Sequence, residues 1–132
     1  MGTELIHTCY RITDIDRSVD FYGKLGFEEL RRVPIGDDAT NAFLGLPGDG
    51  ARLELTYNHG VTEPYEIGTG YGHIAVTVDD LDATLERLAA DGIEPEKPPY
   101  RPGGRTEGPR ICFVRDPDDY RVELIEASSF DV

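Results

Sequence analysis

Two apolar stretches, RLELTYN (52–58) and RVELIEA (121–127), each set a glutamate in their middle, Glu54 between Leu53 and Leu55 and Glu123 between Val122 and Leu124. An ionised carboxylate in such surroundings is rarely found without a partner. Two histidines, His7 and His73, stand in two further β-rich stretches, 5–12 and 73–78. Two neutral imidazoles and two carboxylates form a ligand set for a borderline divalent metal, and the ion's charge is what makes buried carboxylates tolerable.

An internal repeat ties the four residues together. With His7 laid on His73, Asp14 falls on Asp80, Ile15 on Leu81, Asp16 on Asp82 and Gly26 on Gly92, at an offset of 66. After a slip of three residues the match resumes at an offset of 69, where Asp49 meets Asp118, Arg52 meets Arg121 and Glu54 meets Glu123. A repeat of this kind signals a duplicated structural unit. In each copy a strand precedes aspartates fit to cap a helix, and a glycine ends that helix. The second helix carries Leu81, Leu85, Leu88 and Ala89 on one face, the stripe of a helix lying on a sheet. Up to three strands follow, with a Gly/Pro/Asp turn before the last, at 46–50 and 116–119. The expected architecture is α+β, two βαβββ modules (about 5–58 and 71–126) forming a curved, half-barrel-like sheet in one domain. Strand alternation sends Leu53 and Leu55 to the helix-covered side and Glu54 to the other. The stretch 98–109, PPYRPGGRTEGP, is too rich in Pro and Gly to be regular and is a candidate lid.

The bulk numbers limit the alternatives. At 132 residues the chain suits one domain or two small joined ones. A formal net charge of −13 argues against a nucleic-acid partner, and its self-repulsion is relieved by salt, so a high-salt cytoplasm is expected. No apolar run reaches membrane-spanning length and no signal-peptide pattern opens the chain. Cys9 and Cys112 read as buried free thiols of a reduced compartment.

Several segments, in order, carry a family likeness. LIHTCYRITDIDRSVDFY, ELTYN, YGHIAV and DPDDYRVELIE resemble the H-T-M-x-R-V-x-D-x-x-x-S-x-x-F-Y, E-L-T-x-N, G-H-I and D-P-D-G-Y-x-I-E-L patterns of the glyoxalase I (lactoylglutathione lyase) family, within the vicinal oxygen chelate superfamily. The likeness spans residues 5 to about 126 and implies an enzyme that isomerises the hemithioacetal of methylglyoxal and glutathione to S-D-lactoylglutathione. It implies metal ligation by His7, Glu54, His73 and Glu123, with Glu123 as the base and Glu54 able to share that task. It implies that Arg11 and Asn58 hold the γ-glutamyl end of the thiol, and that a lid arginine, Arg105 or Arg110, pairs its other carboxylate. Relatives of this length work as homodimers with sites shared between subunits; without the extensions of longer zinc-type relatives, nickel or cobalt is favoured and zinc remains possible.

Two departures stand out. Asp119 replaces the glycine of D-P-D-G, at a position where Asp visits the left-handed region at modest cost. His59 stands where relatives often carry Trp and is expected to be a surface residue rather than a fifth ligand. A salt-adapted host would suit a thiol such as γ-glutamylcysteine in place of glutathione. The rival readings are an extradiol dioxygenase, for which Glu54 would be superfluous, an epimerase, which would not call for Arg11 with Asn58, and a non-catalytic small-ligand-binding protein.

Overall fold

The computed structural model describes residues 2–126. These fall into two units, divided between Glu66 and Ile67. The first runs β1 (Thr8–Ile12), α1 (Ile15–Lys24), β2 (Glu28–Ile35), β3 (Ala39–Gly45) and β4 (Leu53–Asn58). Its sheet has the order β1-β4-β3-β2, with β1 parallel to β4 and the other pairs antiparallel. The second runs β5 (Ile74–Val78), α2 (Leu81–Ala90), β6 (Ile111–Arg115) and β7 (Arg121–Glu126), in a sheet ordered β5-β7-β6 with β5 parallel to β7. No helix among the described residues is long and apolar enough to cross a membrane.

The fold is α+β, as expected, but the second module lacks one strand. The counterpart of β2 contributes only a Tyr100–Ile111 bridge and a bond from Glu96 N to Phe113 O. Pro95, Pro98 and Pro99 explain this, since proline has no N–H to give a ladder. The first strand is also shorter than the expected 5–12, beginning at Thr8. Upstream, the Leu5 carbonyl accepts from the Arg52 guanidinium at 2.6 Å.

Local chemistry sets the helices identically in both units. Asp14 accepts from Arg17 N at 3.1 Å and Asp80 from Ala83 N at 3.0 Å, each satisfying a donor at the helix start. At the other ends Gly26 (φ 103°) and Gly92 (φ 80°) adopt the left-handed conformation. Phe27 N then reaches Tyr22 O at 3.0 Å and Ile93 N reaches Leu88 O at 2.9 Å, which closes a Schellman motif in each.

α1 packs against β2 and β4, and α2 against β7. Ile12, Leu44, Leu53 and Leu55 are fully buried or nearly so in the first unit, as are Leu81, Leu88, Val122 and Leu124 in the second. Ala89 is exposed, contrary to the expected stripe; Thr84 takes the buried place, its hydroxyl donating to Asp80 O at 2.9 Å. The turns before the last strands differ in detail. Around Gly45 the chain folds so tightly that a Cβ there would lie 2.3 Å from Gly50 O. In the second unit Asp119 does adopt φ 74°, while the buried Asp116 carboxylate accepts from Asp118 N and Tyr120 N at 2.9 Å.

Candidate functional site

Each unit brings one imidazole to one carboxylate. In the first, β1 lies beside β4 with Cys9 opposite Glu54, and His7 immediately precedes β1. His7 Nε2 lies 2.6 Å from Glu54 Oε2. In the second, β5 lies beside β7 with Ala75 opposite Glu123, His73 immediately precedes β5, and His73 Nε2 is 3.1 Å from Glu123 Oε1. The environments match closely: the side chains of His7 and Glu54 are 35% and 14% exposed, those of His73 and Glu123 36% and 16%. Leu53 and Leu55 point to the core as alternation requires, so the carboxylates face away from the helices.

The donor set suits a divalent ion. Two donors each about 2.1 Å from one ion and at right angles to it stand roughly 3 Å apart, close to both observed N···O separations. A neutral imidazole beside an acid presents one nitrogen and one anionic oxygen, the combination taken by nickel, cobalt and zinc alike.

A phenylalanine adjoins each pair. Phe43 is opposite Glu54 and Phe113 is opposite Glu123 across the antiparallel ladders. Their rings meet those of His7 (6.0 Å, 73°) and His73 (5.0 Å, 76°) edge to face. An arginine caps each ring in turn, Arg31 over Phe43 at 4.6 Å and Arg121 over Phe113 at 3.9 Å. The uniform offset of 69 sets Leu44, not Phe43, against Phe113. The structural equivalence needs an offset of 70, because the first hairpin loop is one residue longer, and only a gap in the alignment would have revealed it.

The other expected residues are placed as follows. Arg11 is exposed on the Glu54 face, opposite Thr56, which donates to Asn41 at 2.8 Å and lies 3.3 Å from Cys9 Sγ. Asn58 ends β4, half-buried, and its amide donates to the Tyr65 hydroxyl at 3.0 Å. In the stretch 98–109, Arg101 closes the loop onto Gly108 O at 2.8 Å, and Arg105 is exposed. Arg110 is engaged by Glu126 (2.8 and 2.9 Å) and Asp82 (2.9 Å), which hold its guanidinium charged; Glu126 in turn is held below the usual carboxylate range, chiefly by Arg110. Asp80, Asp82 and Glu126 offer oxygens within 4.8 Å of one another, but Arg110 and the N-terminus of α2 account for that group. Both cysteines are free, yet only Cys112 is buried, and burial pushes its thiol pKa up. Cys9 is exposed because its register puts it on the Glu54 face.

His59 is a surface residue, held by the Thr40 hydroxyl and the Asp37 carbonyl, each at 2.8 Å. It borders a cleft of about 540 Å³ with Asp16, Arg32 and Tyr57, near the start of α1. None of the four candidate donors lines that cleft.

Comparison with known proteins places the chain in a family. The lactoylglutathione lyase of Haemophilus influenzae is 46% identical over 133 residues, covering 96% of this chain and 94% of its own. A probable chloroplastic lactoylglutathione lyase of Arabidopsis thaliana is 41% identical over 92% of this chain, which spans only 35% of that longer protein. Among solved structures, the trypanothione-dependent glyoxalase I of Leishmania major superposes with a TM-score of 0.80 at 34% identity, covering 95% of this chain and 87% of that one. Residues 4–124 match the family description "Glyoxalase/Bleomycin resistance protein/Dioxygenase superfamily", and the chain belongs to that superfamily.

Proposed function

We propose that this chain is a metal-dependent lactoylglutathione lyase that isomerises the hemithioacetal of methylglyoxal and a small thiol to the S-D-lactoyl thioester. The observation that carries this reading is the imidazole–carboxylate pair that occurs twice, with near-equal exposure, on equivalent strands. Each pair supplies half of a four-donor set, and two chains joined as a homodimer would complete the set with one pair from each subunit. A divalent metal follows from kinship and from the donors; nickel or cobalt is favoured over zinc. The ion would act as a Lewis acid toward the two substrate oxygens.

The remaining steps belong to the protein. Glu123 takes the C1 proton, leaving its electron pair to the enediolate, and returns the proton at C2 as the C1 oxygen becomes the thioester carbonyl and its hydroxyl proton passes to the C2 oxygen. Glu54, alike in setting, can share the transfer. Arg11 and Asn58 hold the γ-glutamyl end, the first by charge and the second by its amide. Arg105, exposed at the loop tip, is the better candidate for the far carboxylate, since Arg110 is already paired with two acids. The thiol is glutathione, or γ-glutamylcysteine in a salt-adapted cytoplasm, where a net charge of −13 is well tolerated.

The test mixes metal-reconstituted protein with methylglyoxal and several thiols and follows thioester absorbance. Thioester formation with a γ-glutamyl thiol is expected. Ligand binding without product would leave a binding protein, and oxygen consumption with a catechol would leave a dioxygenase.

A further inference from the structure

The repeat matches Arg52 with Arg121, each two residues before a candidate glutamate ligand. We infer that these two arginines are positioning residues, each holding its own module's histidine ready for metal capture. The inference rests on the metal-site reading above.

A spacing of two puts Arg121 on the same strand face as Glu123. Its guanidinium donates to both Glu96 oxygens at 2.8 Å and stacks on Phe113, whose ring meets His73. Glu96 is itself fixed, its backbone N–H donating to Phe113 O at 2.9 Å. The chain Glu96–Arg121–Phe113–His73 therefore braces an imidazole that stands just outside β5 and is not ordered by the strand ladder. Arg52 reaches the same end by another route. It is paired with Asp49 at 3.1 Å, donates to Leu5 O at 2.6 Å and accepts Thr8 N on its own carbonyl at 3.0 Å. Those two bonds bracket His7. Groups hydrogen-bonded to a metal-binding imidazole typically change metal affinity by about 10- to 100-fold when removed, and a brace acting through a ring contact is expected at the lower end of that range.

The experiment titrates cobalt(II) alone into the metal-free full chain and follows stoichiometry, affinity and visible absorbance. Arg121→Ala is expected to weaken binding about tenfold; Arg52→Ala, which loses the bond to Leu5 O but keeps the carbonyl bond from Thr8 N, is expected to weaken it less. Arg121→Lys, which keeps a cation over Phe113 and near Glu96, is expected to recover most of the loss. Arg115→Ala is the control: Arg115 shares Glu96 at 2.8 Å but does not stack on Phe113, so affinity should hold. In the metal-free protein the His73 ring signals in NMR spectra should move in Arg121→Ala and stay in Arg115→Ala. Wild-type affinity and absorbance in Arg121→Ala, or an equal loss in Arg115→Ala, would overturn the inference. If Arg121→Ala does not fold, Glu96→Gln must shift the same ring signals, and unmoved signals defeat the idea. Wild-type protein that takes up no cobalt defeats the metal-site reading instead, while the ring signals still report on the brace.

Discussion

The two units share an imidazole–carboxylate pair and differ in what surrounds it. Beside Glu54 the face continues through Thr56, Asn41 and Cys9 to Arg11, a polar surface in which Cys9, Thr56 and Asn41 are joined by hydrogen bonds. Beside Glu123 it continues through Ile125 and Ile111, which cluster with Phe113 and Tyr100. Duplication thus repeated the imidazole–carboxylate pair while the flanks diverged, one polar and the other apolar.

That contrast can be broken by experiment. The largest effect is expected from chelation, which should abolish turnover, with nickel or cobalt restoring more activity than zinc; full activity in excess chelator would remove the shared donor set from the mechanism. Next, Glu123→Gln should lower kcat by about 10²-fold or more, the usual worth of a positioned acid–base group. Glu54→Gln should act mainly on metal content, and equal kcat losses would make the two halves equivalent. On the polar flank, Arg11→Ala should raise KM for the hemithioacetal by about tenfold or more, since a hydrogen bond to a charged group contributes about 1.5–3 kcal/mol. An unchanged KM would remove that flank from thiol recognition.

The smallest effect concerns acid. Glu96, held low by Arg121 and Arg115, and Glu126, held low chiefly by Arg110, are both in the second unit. Both bind protons less readily folded than unfolded, so their stabilisation is complete above the ordinary value of 4.5 and fades as pH falls through their depressed values. Both are partly exposed, so the loss should amount to a few degrees of Tm at most. Thermal melts of Glu96→Gln and Glu126→Gln should be flatter with pH than wild type, and parallel curves would refute the assignment.

What the amino-acid order determined by itself was local or periodic. Asp14 and Asp80 cap because a short carboxylate reaches the N–H three residues on. Gly26 and Gly92 end helices because they adopt positive φ without strain. Glu54 and Glu123 turn from the core because strands alternate. The repeat then carried the His and Glu positions, although the contacts span dozens of residues, because it named the same two positions twice.

Tertiary structure decided what depends on competition and on loop length. One extra residue in the first hairpin moved Phe43, rather than Leu44, into the place of Phe113. Prolines in the stretch 94–100 removed a strand that the first module keeps. Arg110 had two acids within reach and was drawn to them, and Arg121 found both Glu96 and a ring face. Spacing states which groups a chain carries and which way they face; only the folded chain ranks the partners available to each, because that ranking is set by distances between segments that sequence order does not measure.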